Sequence, residues 1–310
     1  MRKNIWNKIS VALAGCAAVI FVGWSVGAMS HRAMDTAKIE SIVGHKGKLN
    51  EKSGVFKISV PREDLNLTIA GVKMNPDMGL TSWAAFQGSG QHTMVMGDMV
   101  VLESQVNPVM SAALDNGLAV TALHNHFFWD SPKVMFMHVE GMGSAEALAG
   151  AIAKVFAEIQ HTSGGSMHPS DANIDPDQTS LDPKKIDSAL GHSGTMAHGV
   201  YKVVIGRTTR MHGQQVGSDM GVNTWAAFAG SDDHAIVDGD FAIEEQELQG
   251  VLKALRGGGI NIVAIHNHMT GESPRIIFLH YWGVGPTAQL AGTIKTALNS
   301  EHAHGAISGH

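Results

Sequence analysis

Leu123-His124-Asn125-His126, followed by Pro132, Phe136, His138, Gly141 and Gly143, returns as Ile265-His266-Asn267-His268, Pro274, Phe278, His280, Gly283 and Gly285, with every spacing unchanged. A duplicated segment has two chances to lose each residue, so three histidines kept at one spacing in both copies carry more information than any single histidine. The match runs without a gap from Asp77 to about Phe156 against the stretch that begins at Asp219, with roughly two positions in five identical. Upstream, Ile39 to His45 is echoed by Ile186 to His192, and Gly54-Val55-Phe56-Lys57 by Gly199-Val200-Tyr201-Lys202. Each unit is about 120 to 130 residues long, enough to enclose a core.

The chain therefore divides into a first repeat domain over 34–160, a linker over 161–180, a second repeat domain over 181–299 and a polar tail over 300–310. The linker reading rests on Thr162-Ser163-Gly164-Gly165 and Asp175-Pro176-Asp177, where apolar periodicity disappears. Residues 1–30 read as an export signal or membrane anchor, because Arg2, Lys3 and Lys8 precede an almost uninterrupted apolar run from Ile9 to Met29. Leu13-Ala14-Gly15-Cys16 has the form of a lipobox, and Val26-Gly27-Ala28 has the small residues an ordinary signal peptidase reads. An uncleaved anchor is the third alternative. All three place the rest of the chain outside the cytoplasm, in the periplasm or on the outer face of the membrane.

Cys16 is the single cysteine, so the remainder has no disulfide, thiolate metal site or cysteine nucleophile. A net charge of -6, with no basic stripe interleaved with aromatics, argues against nucleic acid as a partner.

Periodicity predicts a helix at Thr36 to Val43 capped by Asp35, then strands near Val55 to Val60 and Leu65 to Val72. Further strands are expected at Ser82 to Gln87 and Thr93 to Val101, and a helix from Glu103 to Asn116 that stops at Gly117. A hairpin over Ala119 to Phe127 and Lys133 to Val139, then an amphipathic helix over Ala145 to Ile159, complete the unit. Strands adjacent in sequence with short connections favour an antiparallel sheet with packed helices, so the fold class is α+β with two homologous domains.

Side chains alternate across a strand, so His124 and His126 share a face, and a hairpin centred near residue 131 or 132 brings His138 opposite one of them. His266, His268 and His280 follow the same construction. Three imidazoles from adjoining strands form a platform for a divalent transition metal, zinc first, with a fourth position open. The competing reading is structural: buried neutral histidines bonded to one another or to backbone. Each of three desolvated rings would then need a partner or cost about 1–3 kcal/mol.

Asp98 and Asp240, in repeated Gly-Asp pairs, are the candidate catalytic carboxylates or fourth ligands, although Gly-Asp between strand-like runs more often marks a turn. Asp130 and Glu272, beside the hairpin turn, are alternatives. His92 and His234 repeat as well. Trp83-Ala84-Ala85-Phe86 and Trp225-Ala226-Ala227-Phe228 read as core strand. Seventeen methionines raise the question of copper, but Met135 and Met137 project away from His138, and Met269 away from His266 and His268, which favours core packing. A contiguous His-Asn-His is not the residue pattern of the nuclease class that shares those letters.

Trp-Ala-Ala-Phe, Gly-Asp, His-Asn-His, Ser-Pro-Lys/Arg, Phe-x-His and Gly-x-Gly, twice over and behind an export signal, resemble the LppY/LpqO lipoprotein family of bacterial exported proteins. The resemblance spans Asp35 to Leu298 and implies an extracytoplasmic, frequently membrane-tethered protein; it brings no established activity. The copies differ at Phe127-Phe128-Trp129-Asp130 against Met269-Thr270-Gly271-Glu272 and at Glu140 against Trp282, so the two sites need not behave alike. The expected function is metal binding or metal-assisted hydrolysis, in which the ion would bring a bound water toward a pKa of ~7 and Asp98 or Asp240 would handle the proton. The alternative is a non-enzymatic binding or assembly module of the cell envelope, with a small-molecule or envelope ligand.

Overall fold

The computed structural model describes residues 34–162 and 171–302. The segment expected to direct export or anchor the chain, the Gly-Ser core of the expected linker and the end of the tail lie outside these residues. Among the described residues each repeat supplies six strands to the main sheet and three α-helices. The strands of the first are β1 (Gly47–Asn50), β2 (Val55–Pro61), β3 (Thr81–Ser89), β4 (His92–Leu102), β5 (Ala119–His124) and β6 (Val134–Gly143). Those of the second are β7 (Thr195–Ala197), β8 (Val200–Gly206), β9 (Asn223–Gly230), β10 (Ala235–Glu244), β11 (Asn261–His266) and β12 (Ile276–Gly285). The helices are α1 (Thr36–Val43), α2 (Val106–Asp115), α3 (Ala145–Thr162), α4 (Pro183–Leu190), α5 (Leu248–Gly257) and α6 (Thr287–His302).

All twelve strands form one antiparallel sheet in the order β1-β2-β3-β4-β6-β5-β11-β12-β10-β9-β8-β7. The order reads the same from both ends, so the duplication is also a spatial pseudo-twofold. Its centre is the pairing of Leu123 on β5 with Ile265 on β11, both of which belong to the main core. The two homologous units thus stand edge to edge and share a sheet.

That central ladder is short because each strand is irregular between residues 120 and 122 or 262 and 264. Helix side chains make up the missing bonds. Asn107 of α2 accepts from the Ile262 amide at 2.7 Å and donates to the Ile262 carbonyl at 3.2 Å. Gln249 of α5 does the same for Val120, at 3.0 and 2.8 Å. Each repeat therefore satisfies backbone polar groups of the other, which would otherwise be stranded beside the sheet.

Strand alternation sends Phe56, Phe86, Met99, Met137 and Val139 of the first repeat, and Tyr201, Phe228, Phe241, Leu279 and Tyr281 of the second, into a core shared with the helices. The helices start and stop as their caps dictate. Asp35 accepts from Lys38 N at the start of α1, Asp182 accepts from Lys184 N at the start of α4, and Gly44 and Gly191 close these helices in the left-handed region. Among the described residues no helix is long and apolar enough to cross a membrane.

The opposite face of the sheet is covered only in part. Leu67, Met74 and Leu80 pack on Val100, Val134 and Phe136, and Val216 and Val222 pack on Ala242, Ile276 and Phe278. An arginine, buried in the first repeat and half-buried in the second, anchors each of these covering segments. Arg62 pairs with Asp64 and donates to the Val100 carbonyl and Gln105, and Arg207 donates to the Ala242 carbonyl and pairs with Glu247.

Several local expectations change. The strand expected over Leu65 to Val72 is reduced to Thr68–Ile69 and Val72–Lys73, which join Asp130–Ser131 in a small separate sheet over the hairpin. The helix expected from Glu103 begins with a 3-10 turn at Glu103–Gln105. The part of the linker that is described makes specific contacts: the amides of Ser180 and Leu181 both donate to the Gly230 carbonyl. Helices α3 and α6 run on to Thr162 and His302, slightly past the expected ends of the two units.

Candidate metal centre

The candidate residues lie on the partly covered face, next to the covering segments. Across the first repeat, Trp83, Asp98, His138 and Ala122 follow one another on β3, β4, β6 and β5 as direct register partners. Across the second, Trp225, Asp240, His280 and Ala264 do the same. His124 and His266 close β5 and β11 opposite Phe136 and Phe278. The hairpin register is therefore at least two residues from the expected one: His138 faces Ala122 directly and meets His124 on the diagonal. Parity is unaffected, so the rings still share a face.

His126 and His268 fall beyond the strand ends, because β5 and β11 stop at His124 and His266. A stacking platform holds them instead. The His126 ring lies flat on Phe136, with centroids 3.4 Å apart and planes at 3°, and His268 lies on Phe278 at 3.5 Å and 11°. In the sequence these phenylalanines stand out only as members of the repeated motif. Their position two residues before the third histidine in both copies was the available signal.

Gly97-Asp98 and Gly239-Asp240 are not turns; both pairs lie inside long strands next to the sheet centre. The glycine is needed by the opposite face. A Cβ on Gly239 would sit 2.1 Å from Cζ of Tyr281, a fully buried ring whose hydroxyl donates to the Trp225 carbonyl at 3.0 Å, and a Cβ on Gly97 would sit 2.9 Å from the Trp83 carbonyl oxygen. The aspartate then faces the histidines from a third strand. Trp83 and Trp225 are also on this face rather than in the core, each half-buried under a lysine ammonium, Lys57 at 4.1 Å and Lys202 at 4.0 Å from the ring centroid. Met269 packs beside Phe278 on the histidine side, because alternation ends with the strand. Met137 is in the core as expected.

In the second repeat, donor atoms of Asp240, His266 and His268 all lie within 4.8 Å of one another. His266 Nε2 and His268 Nε2 are 3.1 Å apart, and His268 Nε2 is 3.6 Å from Asp240 Oδ2. His280 stands behind this group. Its ring stacks on His266 with centroids 4.7 Å apart, and its Nδ1 lies 4.0 Å from Asp240 Oδ1 and 3.4 Å from the Gly239 carbonyl. In the first repeat the close pair is a different one, His124 Nε2 and His138 Nε2 at 3.1 Å, with His126 stacked on His124.

Burial leaves these groups short of partners. Asp98 Oδ1, Asp240 Oδ1 and His266 Nδ1 are buried without a hydrogen bond, and the only other such side-chain atom among the described residues is Glu272 Oε2. Desolvation drives the Asp240 carboxyl above the ordinary range, against the pull of His280 and His268. Burial, then His280 and His268, brings His266 down to about 4. Burial and the neighbouring His124 also lower His126. These imidazoles are thus neutral at physiological pH, with lone pairs available, which is the state a metal ligand requires.

The other candidates lie in structural positions. Asp130 accepts from the Val134 amide at 2.9 Å and from Lys133 at 3.0 Å, and Glu272 accepts from the Ile276 amide at 3.2 Å, so both hold the start of the returning hairpin strand. His92 is exposed at the first residue of β4, and His234 bonds the Ala172 carbonyl at 2.7 Å.

These features define a duplicated α+β unit in which, among the described residues, the second copy brings a histidine and aspartate group within metal-binding distance. The chain belongs to the family described as Domain of Unknown Function (DUF1259), whose model matches residues 37–158 and again residues 184–300. No curated protein matches it. Among solved structures, the crystal structure of a trimeric bacterial microcompartment shell protein PduB aligns over 85% of this chain and 93% of its own, at 8% identity and a TM-score of 0.20, a likeness too slight to carry an argument.

Proposed function

We propose that the protein binds a divalent transition metal through Asp240, His266 and His268, with His280 as a further donor, and through Asp98, His124, His126 and His138 in the first repeat. One observation carries this reading. Bonds of 2.0–2.1 Å at tetrahedral angles set neighbouring donor atoms about 3.4 Å apart, and the second cluster spaces its donors at 3.1 and 3.6 Å before any ion is considered. Mixed nitrogen and oxygen donors without sulfur favour zinc, with cobalt, nickel and copper as chemical competitors.

In this reading Asp240 is a ligand rather than a free base, and His280 positions it through the contact at its Oδ1. The ion would supply Lewis acidity and a water of lowered pKa, so metal-assisted hydrolysis of a small-molecule or envelope ligand is the reaction class the site suits. The LppY/LpqO resemblance and the apolar segment from Ile9 to Met29 support an exported, envelope-associated protein, tethered by lipid at Cys16 or by the segment itself. The non-enzymatic envelope module keeps one observation in its favour: a single N–H···N bond between neutral imidazoles also gives 3.1 Å.

Competition against a chromophoric chelator distinguishes the two. Zinc bound by the intact chain, with part of it lost in a folded His266→Ala, His268→Ala variant, supports the metal reading. Retention of full stability in chelator together with failure to take up zinc supports the structural one.

A further inference from the structure

The two clusters are not remote. Leu123 pairs with Ile265 on the core face, so one residue either side of that pair the antiparallel ladder sets His124 opposite Ala264 and His266 opposite Ala122, all four half-buried on the open face. Ala264 is also the register partner of His280, and Ala122 that of His138. One transverse row therefore runs Asp98, His138, Ala122, His266, and the other runs Asp240, His280, Ala264, His124. His124 and His266 are diagonal neighbours across the pseudo-twofold, with Cα atoms about 7–8 Å apart.

We infer that the two clusters form a single composite centre that holds two divalent ions and takes a small oxyanion between them, over the pseudo-twofold. This rests on the metal-binding reading above. The residues at the centre of the patch are the smallest that a strand can carry without losing its twist and packing. Alanine at 122 and 264 leaves the space between His138 and His266, and between His280 and His124, unfilled by side chain. Larger residues would close it. Two cations at this separation repel one another, and the buried Asp240 and half-buried Asp98 lie on the far sides of the pair, one strand beyond His280 and His138. Asp238 and Glu140, on the same strands two residues from Asp240 and His138, are exposed, where solvent screens them. A bridging anion at the centre supplies the charge that the protein does not, and inorganic phosphate is the simplest probe of that class.

The test uses the full chain with His302, His304 and His310 replaced by alanine, so that the tail does not compete for metal. It is loaded with two equivalents of Cu²⁺ and examined by electron paramagnetic resonance. The expected spectrum shows dipolar coupling between two ions within about 10 Å of each other, and phosphate changes the signals of both together. In Ala122→Leu, Ala264→Leu two ions still bind and the response to phosphate is lost. Two bound ions without dipolar coupling, or a spectrum indifferent to phosphate, overturn the composite centre while leaving metal binding intact. Failure to bind copper at all overturns both.

Discussion

Replacing Asp240 with asparagine should make the metal-free protein more stable and the metal site much weaker. Asp240 is 2% exposed, one of its oxygens has no hydrogen bond, and burial raises its pKa. For a carboxyl whose folded value exceeds its unfolded value, the unfolded chain ionises first as pH rises past 3.8. Stability is then lost as pH climbs toward the folded value, and the whole cost is present at neutral pH. An unsatisfied buried polar group costs about 1–3 kcal/mol, and the isosteric amide removes the charge while offering N–H donors beside His268 and His280. At roughly 2–4 °C per kcal/mol for a unit of this size, thermal unfolding in chelator at pH 7.5 should shift upward by several degrees. Zinc affinity, measured by chelator competition, should fall on the order of 100-fold, since the one charged donor of the group is gone. A variant that melts lower than the parent without metal, and binds zinc equally well, would refute the reasoning.

The pH dependence of the metal-free chain offers a second test. His266 sits at about 4 in the folded state against 6.5 unfolded, so its contribution is complete above pH 6.5 and drains away as pH falls toward 4. The full shift corresponds to up to about 3 kcal/mol, which solvent at this half-buried ring reduces to roughly 1–2; urea unfolding of His266→Gln should show a shallower acid dependence by that amount, and parallel curves would contradict the assignment. Gly239→Ala drives a methyl group into Tyr281, and overpacking of this kind costs about 1–3 kcal/mol. Zinc binding should weaken along with stability, because Asp240 and the Gly239 carbonyl contact of His280 move with it; unchanged affinity would detach the glycine from the site. Asn107→Ala strands the Ile262 amide and carbonyl and should cost about 1–3 kcal/mol in urea unfolding. Combined with Gln249→Ala, the cost should depart from additivity if both clamps secure one junction.

The histidine constellation was legible because it depends on parity and spacing within one hairpin, which a sequence carries directly. A change in register by an even number of residues left His124 and His138 on the same face, since alternation survives any shift that preserves parity. Alternation fails where strands end, and that is why Met269 lies on the unexpected side and why His126 and His268 depend on Phe136 and Phe278 instead. Gly-Asp suggested a turn from composition alone; the glycine answers to Tyr281 and Trp83, residues that approach it only in the folded sheet. The Leu123 and Ile265 pairing was not legible at all. These residues look like any other core positions, and the contact that joins the repeats spans the whole length between them. The candidate site was thus readable one repeat at a time, while its placement beside its twin required the sheet.

Crystals of the full chain grown with zinc, with anomalous scattering recorded on either side of the zinc absorption edge, test the central claim most directly. The account predicts an anomalous peak about 2.0–2.2 Å from His266 Nε2, His268 Nε2 and an Asp240 carboxylate oxygen. A second peak is expected among the first-repeat histidines. A map with no peak at either cluster, in crystals whose zinc is bound elsewhere on the surface, would contradict it.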